Sequence, residues 1–242
     1  MFAKRLIRPD LLDHLPPEQA RANLADLVRI NKTFGGHSVL LKTLTRVAAA
    51  NEKFTVLDVG AASGDTARVI QARFPQASIV SLDYNAANLG AAPYPKLLAN
   101  AFRLPFGAAS FDFVLSSLFL HHFEDAQVVE LLRHFYQVAR RGLVVCDLER
   151  HVLPYCFLPA TRFLFRWKPI TIHDGVISVR ASFRASELSQ LSREAGIETA
   201  QIRVHRPAFR LSLIAMKNGG GRVSEDAEAG GYSEEDTHRG AH

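Results

Sequence analysis

Asp58, Gly60, Gly64 and Asp83 have the types and the spacing to bind a cofactor that carries a nucleoside. An apolar run ends in Asp58, and only small residues separate the two glycines that follow it. Glycines let a backbone approach a ligand closely, and the helical pattern after Gly64 directs a helix N-terminus at the same place. Asp83 ends the next apolar run, where a carboxylate can accept hydrogen bonds from ribose hydroxyls. The alternative is that the glycines only allow a strand and a helix to pack tightly.

The spacing of the glycines disfavours a dinucleotide. A dinucleotide fingerprint requires G-x-G-x-x-G, and Ala62 stands where the middle glycine would be. The carboxylate of Asp58, just before the turn, would repel a pyrophosphate but suits an ammonium group. S-adenosylmethionine carries an ammonium, a sulfonium, a ribose and an adenine without any phosphate. The residues therefore favour this cofactor, and a nicotinamide dehydrogenase is the disfavoured interpretation.

Strands and helices that alternate along the chain would position these residues. The strand candidates are short continuous apolar runs, as expected when helices cover both faces of a parallel sheet. This alternation predicts a doubly wound α/β domain. The predicted strands are Phe54–Val59, Ser78–Asp83, Leu97–Ala101, Phe111–Leu115 and Gly142–Asp147, and the predicted helices between them are Asp65–Phe74, Asn85–Ala91 and Ala126–Ala139.

Residues 1–50 are predicted to form an N-terminal helical lid. Apolar residues recur at helical spacing from Pro17 to about Ala50, the Gly35-Gly36 pair interrupts them, and Ser38 is the predicted N-cap of the second helix.

Residues 51–217 are predicted to form the sheet domain, with a substrate-cap insert at 151–168 that is rich in aromatic residues. A helix at Ser186–Ala195 and two final strands complete it. Residues 218–242 are rich in Gly, Ser, Glu and Asp and are predicted to be disordered, because they cannot bury enough apolar surface to offset the entropy of ordering.

Composition narrows the function classes. The chain has 242 residues and is 48% apolar, which supports a sizeable core. No apolar run is long enough for a membrane-spanning helix, and the first ten residues lack the apolar stretch of a secretory signal. The two cysteines have no metal-ligand spacing, so we expect a cytoplasmic protein with neither a disulfide framework nor a metal site.

Four segments together resemble a known family, the class I S-adenosylmethionine-dependent methyltransferases, and within it the type 11 enzymes that include ubiquinone and menaquinone methyltransferases. The segments are "VLDVGAASGD", "VSLDYN", "NAFRLPFGAASFDFVLSSLFLHHF" and "VARRGLVVCDLER", in the order and spacing of the family, and the resemblance covers about Phe54 to Lys217. It implies a Rossmann-like, mostly parallel seven-stranded sheet with an antiparallel last strand, and S-adenosyl-L-methionine as cofactor.

The resemblance also implies cofactor-binding roles for individual residues. Asp83 would accept from the ribose hydroxyls, Tyr84 would pack beside the adenine, and Ser116 would face the methionine moiety. Asn100 departs from the family, which usually has Asp-Ala at this place; its amide oxygen can still accept a hydrogen bond from the adenine amino group, but without charge. The implied cofactor-binding set is Asp58, Gly60, Ala61, Gly64, Asp83, Tyr84, Asn100, Ala101 and Ser116.

His121 and His122 are the candidate catalytic residues. They follow the fourth strand, where the transferable methyl group should lie, and a histidine can take the proton of a phenol or an enol. The alternative is that they only hydrogen-bond to the backbone or begin the helix that follows.

The aromatic insert is the candidate acceptor site. The predicted substrate-binding residues are Tyr155, Phe163, Trp167 and Arg180. The alternative is that the aromatic residues only cover the edge of the sheet. The basic residues in and around the insert would receive an anionic group of the acceptor or an acidic membrane surface, or they form an ordinary solvated face.

The predicted function is methyl transfer from S-adenosylmethionine to a small apolar acceptor, with O-methylation of a phenol or an enol preferred and C-methylation of a quinol as the close alternative. The pI of about 9.4 would suit a nucleic-acid methyltransferase. This interpretation is disfavoured, because Ser116-Ser117-Leu118-Phe119 stands where an N/D-P-P-Y motif would be. A cofactor-binding protein without transfer activity stays open, as do the identity of the acceptor and the oligomeric state.

Overall fold

A computed structural model describes residues 4–8, 17–93 and 95–217. The predicted disordered tail, residues 218–242, lies outside the described residues. The elements in chain order are α1 (Pro17–Thr33), α2 (Gly36–Thr45), β1 (Thr55–Val59), α3 (Asp65–Arg73), β2 (Ser78–Asp83), α4 (Ala86–Leu89), β3 (Lys96–Leu98), β4 (Phe111–Ser117), a 3₁₀ turn (Leu120–His122), α5 (Asp125–Val138), β5 (Ala139–Leu148), α6 (Val152–Phe165), α7 (Pro169–Ala181), α8 (Ala185–Glu194), β6 (Ala200–His205) and β7 (Arg210–Met216).

The strands form one seven-stranded sheet in the order β3-β2-β1-β4-β5-β7-β6. Strands β1 to β5 pair in parallel, whereas β7 runs antiparallel to both of its neighbours, β5 and β6. The predicted Rossmann-like architecture with an antiparallel last strand and N-terminal helices is confirmed.

Apolar side chains cover both faces of the sheet, which explains why the central strands are continuous apolar runs. On one face, Leu57 and Val114 belong to a fully buried cluster that also includes Leu131 of α5. On the other face, Val56 and Phe113 pack in a second cluster that includes helices α2 and α3. Neighbouring residues of one strand thus point into two different cores.

Three local predictions differ from the structure. Ser38 is not a helix cap, because α2 already begins at Gly36 and Gly35 precedes it in the left-handed region without a side-chain cap. Strand β3 ends at Leu98 because Asn100 starts a turn, in which its side-chain oxygen accepts from the N–H of Phe102 at 2.9 Å. The predicted insert consists of helix α6, and a second helix, α7, continues to Ala181.

An ion pair joins helix α8 to the chain just after β5. The Arg150 guanidinium, 3% exposed at the end of β5, donates to Glu187 of α8 at 2.8 Å and to the backbone oxygen of Ser182 at 2.7 Å. Arg150 therefore has a structural role and is not part of a free basic cluster. No helix among residues 4–8, 17–93 and 95–217 is long and apolar enough to span a membrane.

Candidate active site

A cavity of about 960 Å³ lies at the carboxyl ends of β1, β2, β4 and β5. These strands are parallel, so their last residues meet at one edge of the sheet, which is where ligands bind in open α/β folds. Helices α1, α6 and α7 and the turn between β6 and β7 form the opposite walls. The sheet edge therefore supplies the polar groups of the cavity, and the helices enclose them.

The glycine turn after β1 forms part of the cavity wall. Gly60 has φ +77°, a conformation that side chains rarely adopt, and its N–H donates to Leu82 at 2.9 Å. A Cβ atom on Gly60 would lie 2.3 Å from the ring of Phe119. Gly64 has φ +71° and starts α3, and a Cβ there would lie 2.5 Å from Pro93. Without a side chain, Gly60 leaves the space in front of Phe119 open. Gly64 allows α3 to begin in close contact with Ala92 and Pro93.

The carboxyl group of Asp58 is buried beside this turn. The side chain is 1% exposed, and its Oδ2 atom has no hydrogen-bond partner within the described part of the chain. Burial raises the pKa of Asp58 to about 7, and the negative charges of Asp83 and Asp65 contribute to the rise. An orphaned acidic oxygen at this place is suited to a cationic ligand.

Asp83 ends β2 with its carboxylate fixed by the backbone. Its Oδ2 atom accepts from the N–H of Ala62 at 2.8 Å and its Oδ1 atom from the N–H of Asn85 at 2.8 Å. Each carboxylate oxygen has a second lone pair, so hydroxyl groups in the cavity can still donate to Asp83.

Most of the predicted cofactor-binding residues reach the cavity. Gly60, Ala61, Asp83, Tyr84, Asn100 and Ala101 line it. Asp58, Gly64 and Ser116 do not line it: Asp58 and Gly64 lie beside the turn, and Ser116 is fully buried in the sheet. Ser117 and Leu118 line the cavity in place of Ser116. The phase of the side-chain alternation in β4 decides this, because successive residues point to opposite faces.

His121 forms a buried pair with Asp147. Its Nδ1 atom lies 2.6 Å from Oδ1 of Asp147 at the end of β5, and the backbone N–H of His121 donates to Oδ2 at 3.3 Å. Burial alone would raise the pKa of Asp147, but the charge and the hydrogen bond of His121 bring it below its ordinary value. An ionised carboxylate only accepts, so Nδ1 of His121 carries the proton and Nε2 is left free to exchange one.

His122 lies against His121 with different surroundings. The two ring centroids are 4.2 Å apart, and both residues line the cavity. His122 is exposed in this wall, whereas His121 is 3% exposed and paired with Asp147. The carboxylate fixes the ring of His121, so the geometry favours His121 over His122 as a proton acceptor.

The comparison with protein families matches residues 57–146 to the family described as a methyltransferase domain. Residues 57–146 form a methyltransferase domain. The match extends from β1 into β5 and contains the glycine turn, Asp83 and both histidines. The prediction of a class I, S-adenosylmethionine-dependent methyltransferase with a type 11 domain is confirmed.

Solved structures of methyltransferases share the fold. The plantazolicin methyltransferase BpumL, solved in complex with SAH, has a TM-score of 0.66 at 14% identity over 85% of this chain and 92% of that chain. The plantazolicin methyltransferase BamL has a TM-score of 0.64 at 12% identity over 86% and 93%. A SAM-dependent methyltransferase from Aquifex aeolicus has a TM-score of 0.55 at 16% identity over 73% and 88%. A search of curated proteins found no match.

The structure corrects the predicted acceptor-binding residues of the methyltransferase. The side chain of Phe163 is exposed, and Trp167 is buried beneath Arg29, whose guanidinium lies 4.3 Å from its ring centroid. Arg180 lines a separate cavity of about 260 Å³ beside Leu6. Tyr155, Phe163, Trp167 and Arg180 are all absent from the wall of the large cavity, whereas Leu153, Pro154, Phe157 and Leu158 of the same insert line it. Helix α6 turns a different face toward the site than the aromatic residues suggested.

Helix α1 supplies a wall of the methyltransferase cavity that the predicted site omitted. Leu24, Leu27, Val28, Asn31 and Phe34 all line the cavity. Their spacing of three and four residues places them on one face of a helix, and this spacing was the available signal in the sequence. The prediction that residues 1–50 form a lid is compatible with this placement.

Arg210 is a buried cationic group of the cavity that the predicted site omitted. It is 7% exposed at the start of β7 and lines the cavity, and its Nε atom has no hydrogen-bond partner in the described ranges of the chain. Its Nη atoms make long contacts, 3.4 Å to Oδ1 of Asn31 and 3.3 Å to the backbone oxygen of Ala208. Burial lowers the pKa of Arg210 to about 10, so the guanidinium stays protonated at neutral pH. A buried cation with such weak partners can receive negative charge in the cavity.

Proposed function

We propose that the protein transfers the methyl group of S-adenosylmethionine to an oxygen atom of a small apolar acceptor, a phenol or an enol. The observation that carries this proposal is the His121–Asp147 pair, because His121 lines a largely apolar cavity that also contains the glycine turn, and the buried Asp147 lies behind it. A base is useful for methyl transfer only where the acceptor atom carries a proton, as a phenol or an enol does.

The residues at the sheet edge fit S-adenosylmethionine. The orphaned Oδ2 atom of Asp58 suits its ammonium group, the carboxylate of Asp83 suits its ribose hydroxyls as an acceptor, and the exposed ring of Tyr84 offers a surface for its adenine. When bound, the cofactor supplies an electrophilic methyl group on a sulfonium.

The chain contributes proton transfer and positioning. Asp147 holds the His121 imidazole in one tautomer, so that Nε2 accepts the proton of the acceptor hydroxyl while the oxygen attacks. Apolar side chains of α1 and α6 exclude water and hold the ring of the acceptor. The protonated Arg210 stabilises the negative charge that develops on an acidic acceptor or that the acceptor already carries.

C-methylation of a quinol is the second candidate. A quinol must also lose a hydroxyl proton before its ring carbon attacks, so the same histidine would serve. A nucleic-acid acceptor is less suited to the site, because α1 and α6 line the acceptor end with mainly apolar side chains rather than with a basic groove.

Labelled S-adenosylmethionine and a panel of phenols, pyrones, quinols, lipids and RNA test the proposal. We expect label in a phenol or pyrone, with a methoxy signal in the NMR spectrum of the product. A new C-methyl signal would move the assignment to the quinol class. Transfer to RNA alone, or to nothing in the panel despite binding of S-adenosylhomocysteine, would contradict a small-molecule O-methyltransferase.

Asp83→Ala should weaken binding of S-adenosylhomocysteine by roughly 1–3 kcal/mol, because two ribose hydroxyls lose an ionised acceptor. Titration calorimetry measures the change. Part of the loss would come from the turn, since Asp83 also accepts from the N–H of Ala62. Asp83→Asn is the control: its amide oxygen can keep one of these bonds, so it should lose less affinity than Asp83→Ala. Unchanged affinity in both variants would contradict the ribose assignment.

The affinity for S-adenosylhomocysteine should rise with pH. Since the pKa of Asp58 is raised to about 7, the carboxyl group is largely protonated below this value and must release its proton to face an ammonium group. We therefore expect tighter binding from about pH 6 to about pH 8, by up to roughly tenfold per pH unit at the acidic end, with a plateau above. Calorimetry in buffers of different ionisation enthalpy measures the released proton. Asp58→Asn should remove the dependence, and equal parent affinity at both ends of the range would contradict it.

A further inference from the structure

Helix α6 exposes an apolar face that the methyltransferase site does not use. Eight of its residues are exposed, and Arg162 is the one charged residue among them. Phe163 is 80% exposed, Leu164 77% and Leu153 59%. Single exposed apolar residues are ordinary, but a contiguous group of them marks a site of interaction with a protein or a membrane. The exposed apolar residues, called the outer face of α6 below, are Val152, Leu153, Cys156, Pro159, Ala160, Phe163 and Leu164.

The outer face is one continuous stripe. It begins with the adjacent pair Val152-Leu153, and three or four positions separate each later residue from an earlier one, so the residues lie on the same side of the helix. The opposite side is fixed to the protein: Leu158 is buried, and the rings of Phe157 and Phe165 lie 4.7 and 5.5 Å from that of Phe34 in the loop after α1. Packing on one side therefore holds the apolar stripe outward.

The charged residues of the segment that forms and follows the stripe are all basic. No acidic residue occurs in the sequence between Arg150 and Asp174, whereas Arg162, Arg166 and Lys168 lie at the C-terminal end of α6 and are exposed. The Arg162 guanidinium lies 4.2 Å from the ring centroid of Phe163, so basic and aromatic groups occupy the same surface. Exposed Phe and Leu beside Arg and Lys are typical of helices that lie in the interface of a bilayer.

The same helix borders the acceptor end of the cavity. Leu153 belongs to the outer face and also lines the cavity, together with Pro154 and Phe157 from the inner side of α6. An apolar molecule that leaves a bilayer at the outer face would thus reach the cavity after passing one helix.

We propose that the outer face of α6 docks on the surface of a bilayer that contains anionic lipids. Apolar side chains enter the acyl boundary, and Arg162, Arg166 and Lys168 meet the lipid phosphates and carboxylates. A second copy of the chain fits this face less well, because a symmetric contact would bring the basic ends of both stripes into one interface without acidic partners. The docking does not depend on the proposed acceptor chemistry.

Sedimentation with vesicles tests this docking. The full chain should sediment with vesicles of phosphatidylcholine and phosphatidylserine in equal parts, should bind phosphatidylcholine alone much less, and should be released by salt. The double variant Phe163→Ser, Leu164→Ser should lose roughly tenfold or more in apparent affinity for the mixed vesicles. Val204→Ser, which changes an exposed apolar residue of β6, is the matched control and should bind as the parent does.

A dye on Cys156 gives a second measurement. Cys156 is exposed on the outer face, whereas Cys146 is buried, so an environment-sensitive dye can be attached selectively to Cys156. The fluorescence emission of this dye should shift to shorter wavelength when the mixed vesicles are added.

An unchanged melting temperature and unchanged binding of S-adenosylhomocysteine would show that the double variant is folded. Three results would overturn the proposal: no sedimentation of the parent, equal sedimentation of parent and double variant, or concentration-dependent dimerisation that the double variant abolishes. Vesicle binding is measured without an acceptor. If the protein does not bind vesicles, the proposed methyl transfer is unaffected, and if no methyl transfer is found, the docking can still be tested.

Discussion

His121→Ala should lower kcat by about 10²- to 10⁴-fold while leaving the affinity for S-adenosylhomocysteine nearly unchanged, because the variant loses the general base but keeps the cofactor-binding turn. The loss should shrink as pH rises, since a phenol or an enol then ionises without help. The measurement compares initial rates of methyl transfer by the parent and by His121→Ala, from neutral to alkaline pH, with the acceptor found in the panel.

Two further variants separate catalysis from packing. His121→Asn places an amide N–H near the position of Nδ1, so it can still donate to the buried Asp147 but offers no second ring nitrogen. It should lose as much activity as His121→Ala and unfold at a higher temperature than that variant, in which Asp147 keeps only backbone donors such as the N–H of Leu148 at 2.7 Å. Asp147→Asn tests the positioning role, because an amide no longer selects the Nδ1–H tautomer. In the Asp147→Asn variant, kcat should fall by a larger factor than the factor by which KM changes.

His122→Ala is the control for proximity. His122 is exposed, whereas Asp147 fixes the ring of His121, so removal of His122 should cost much less activity than removal of His121. Full turnover at neutral pH in both His121 variants would rule out histidine base catalysis and leave proximity to the sulfonium as the mechanism.

Gly60→Val should abolish measurable binding of S-adenosylhomocysteine. A β-branched residue at φ +77° is strained by about 1–3 kcal/mol, and its Cβ atom would lie 2.3 Å from the ring of Phe119 in the cavity wall. Either the turn or Phe119 must move, and both movements change the surface that the cofactor needs. Titration calorimetry and circular dichroism together measure binding and folding.

Gly107→Val is the matched control for this variant. A Cβ atom on Gly107 would meet no atom within 4 Å, so the change should leave both folding and cofactor affinity as they are. A Gly60→Val protein that folds and binds as well as the parent would show that the turn has only a structural role and that the cofactor-binding site lies elsewhere.

The cofactor end of the site could be predicted from the sequence because its residues are local. Gly60 and Asp58 lie within three positions of each other, and Asp83 ends the next strand, so a parallel sheet brings them to one edge whatever the details of packing. The short apolar runs in turn require helices on both faces, and the structure has this arrangement.

The proposed catalytic pair, His121 and Asp147, could not be predicted in this way. His121 and Asp147 are 26 positions apart, and only the register of β4 against β5 brings the end of one strand to the carboxylate of the other. Nothing in the sequence distinguishes His121 from the adjacent His122; their different hydrogen bonds and burial do. Arg210 reaches the cavity only because β7 returns antiparallel beside β5.

The sequence by itself determined the sheet, the methyltransferase domain and the glycine turn, since all three rest on apolar runs and on residues close together in the chain. The tertiary structure alone decided which face of α6 lines the cavity and which faces outward. The helix is apolar on both sides, so its periodicity does not select the buried one, and Phe163 proved exposed while Phe157 lines the cavity. Packing of Phe157 and Phe165 against Phe34, a residue more than a hundred positions earlier in the chain, makes that choice.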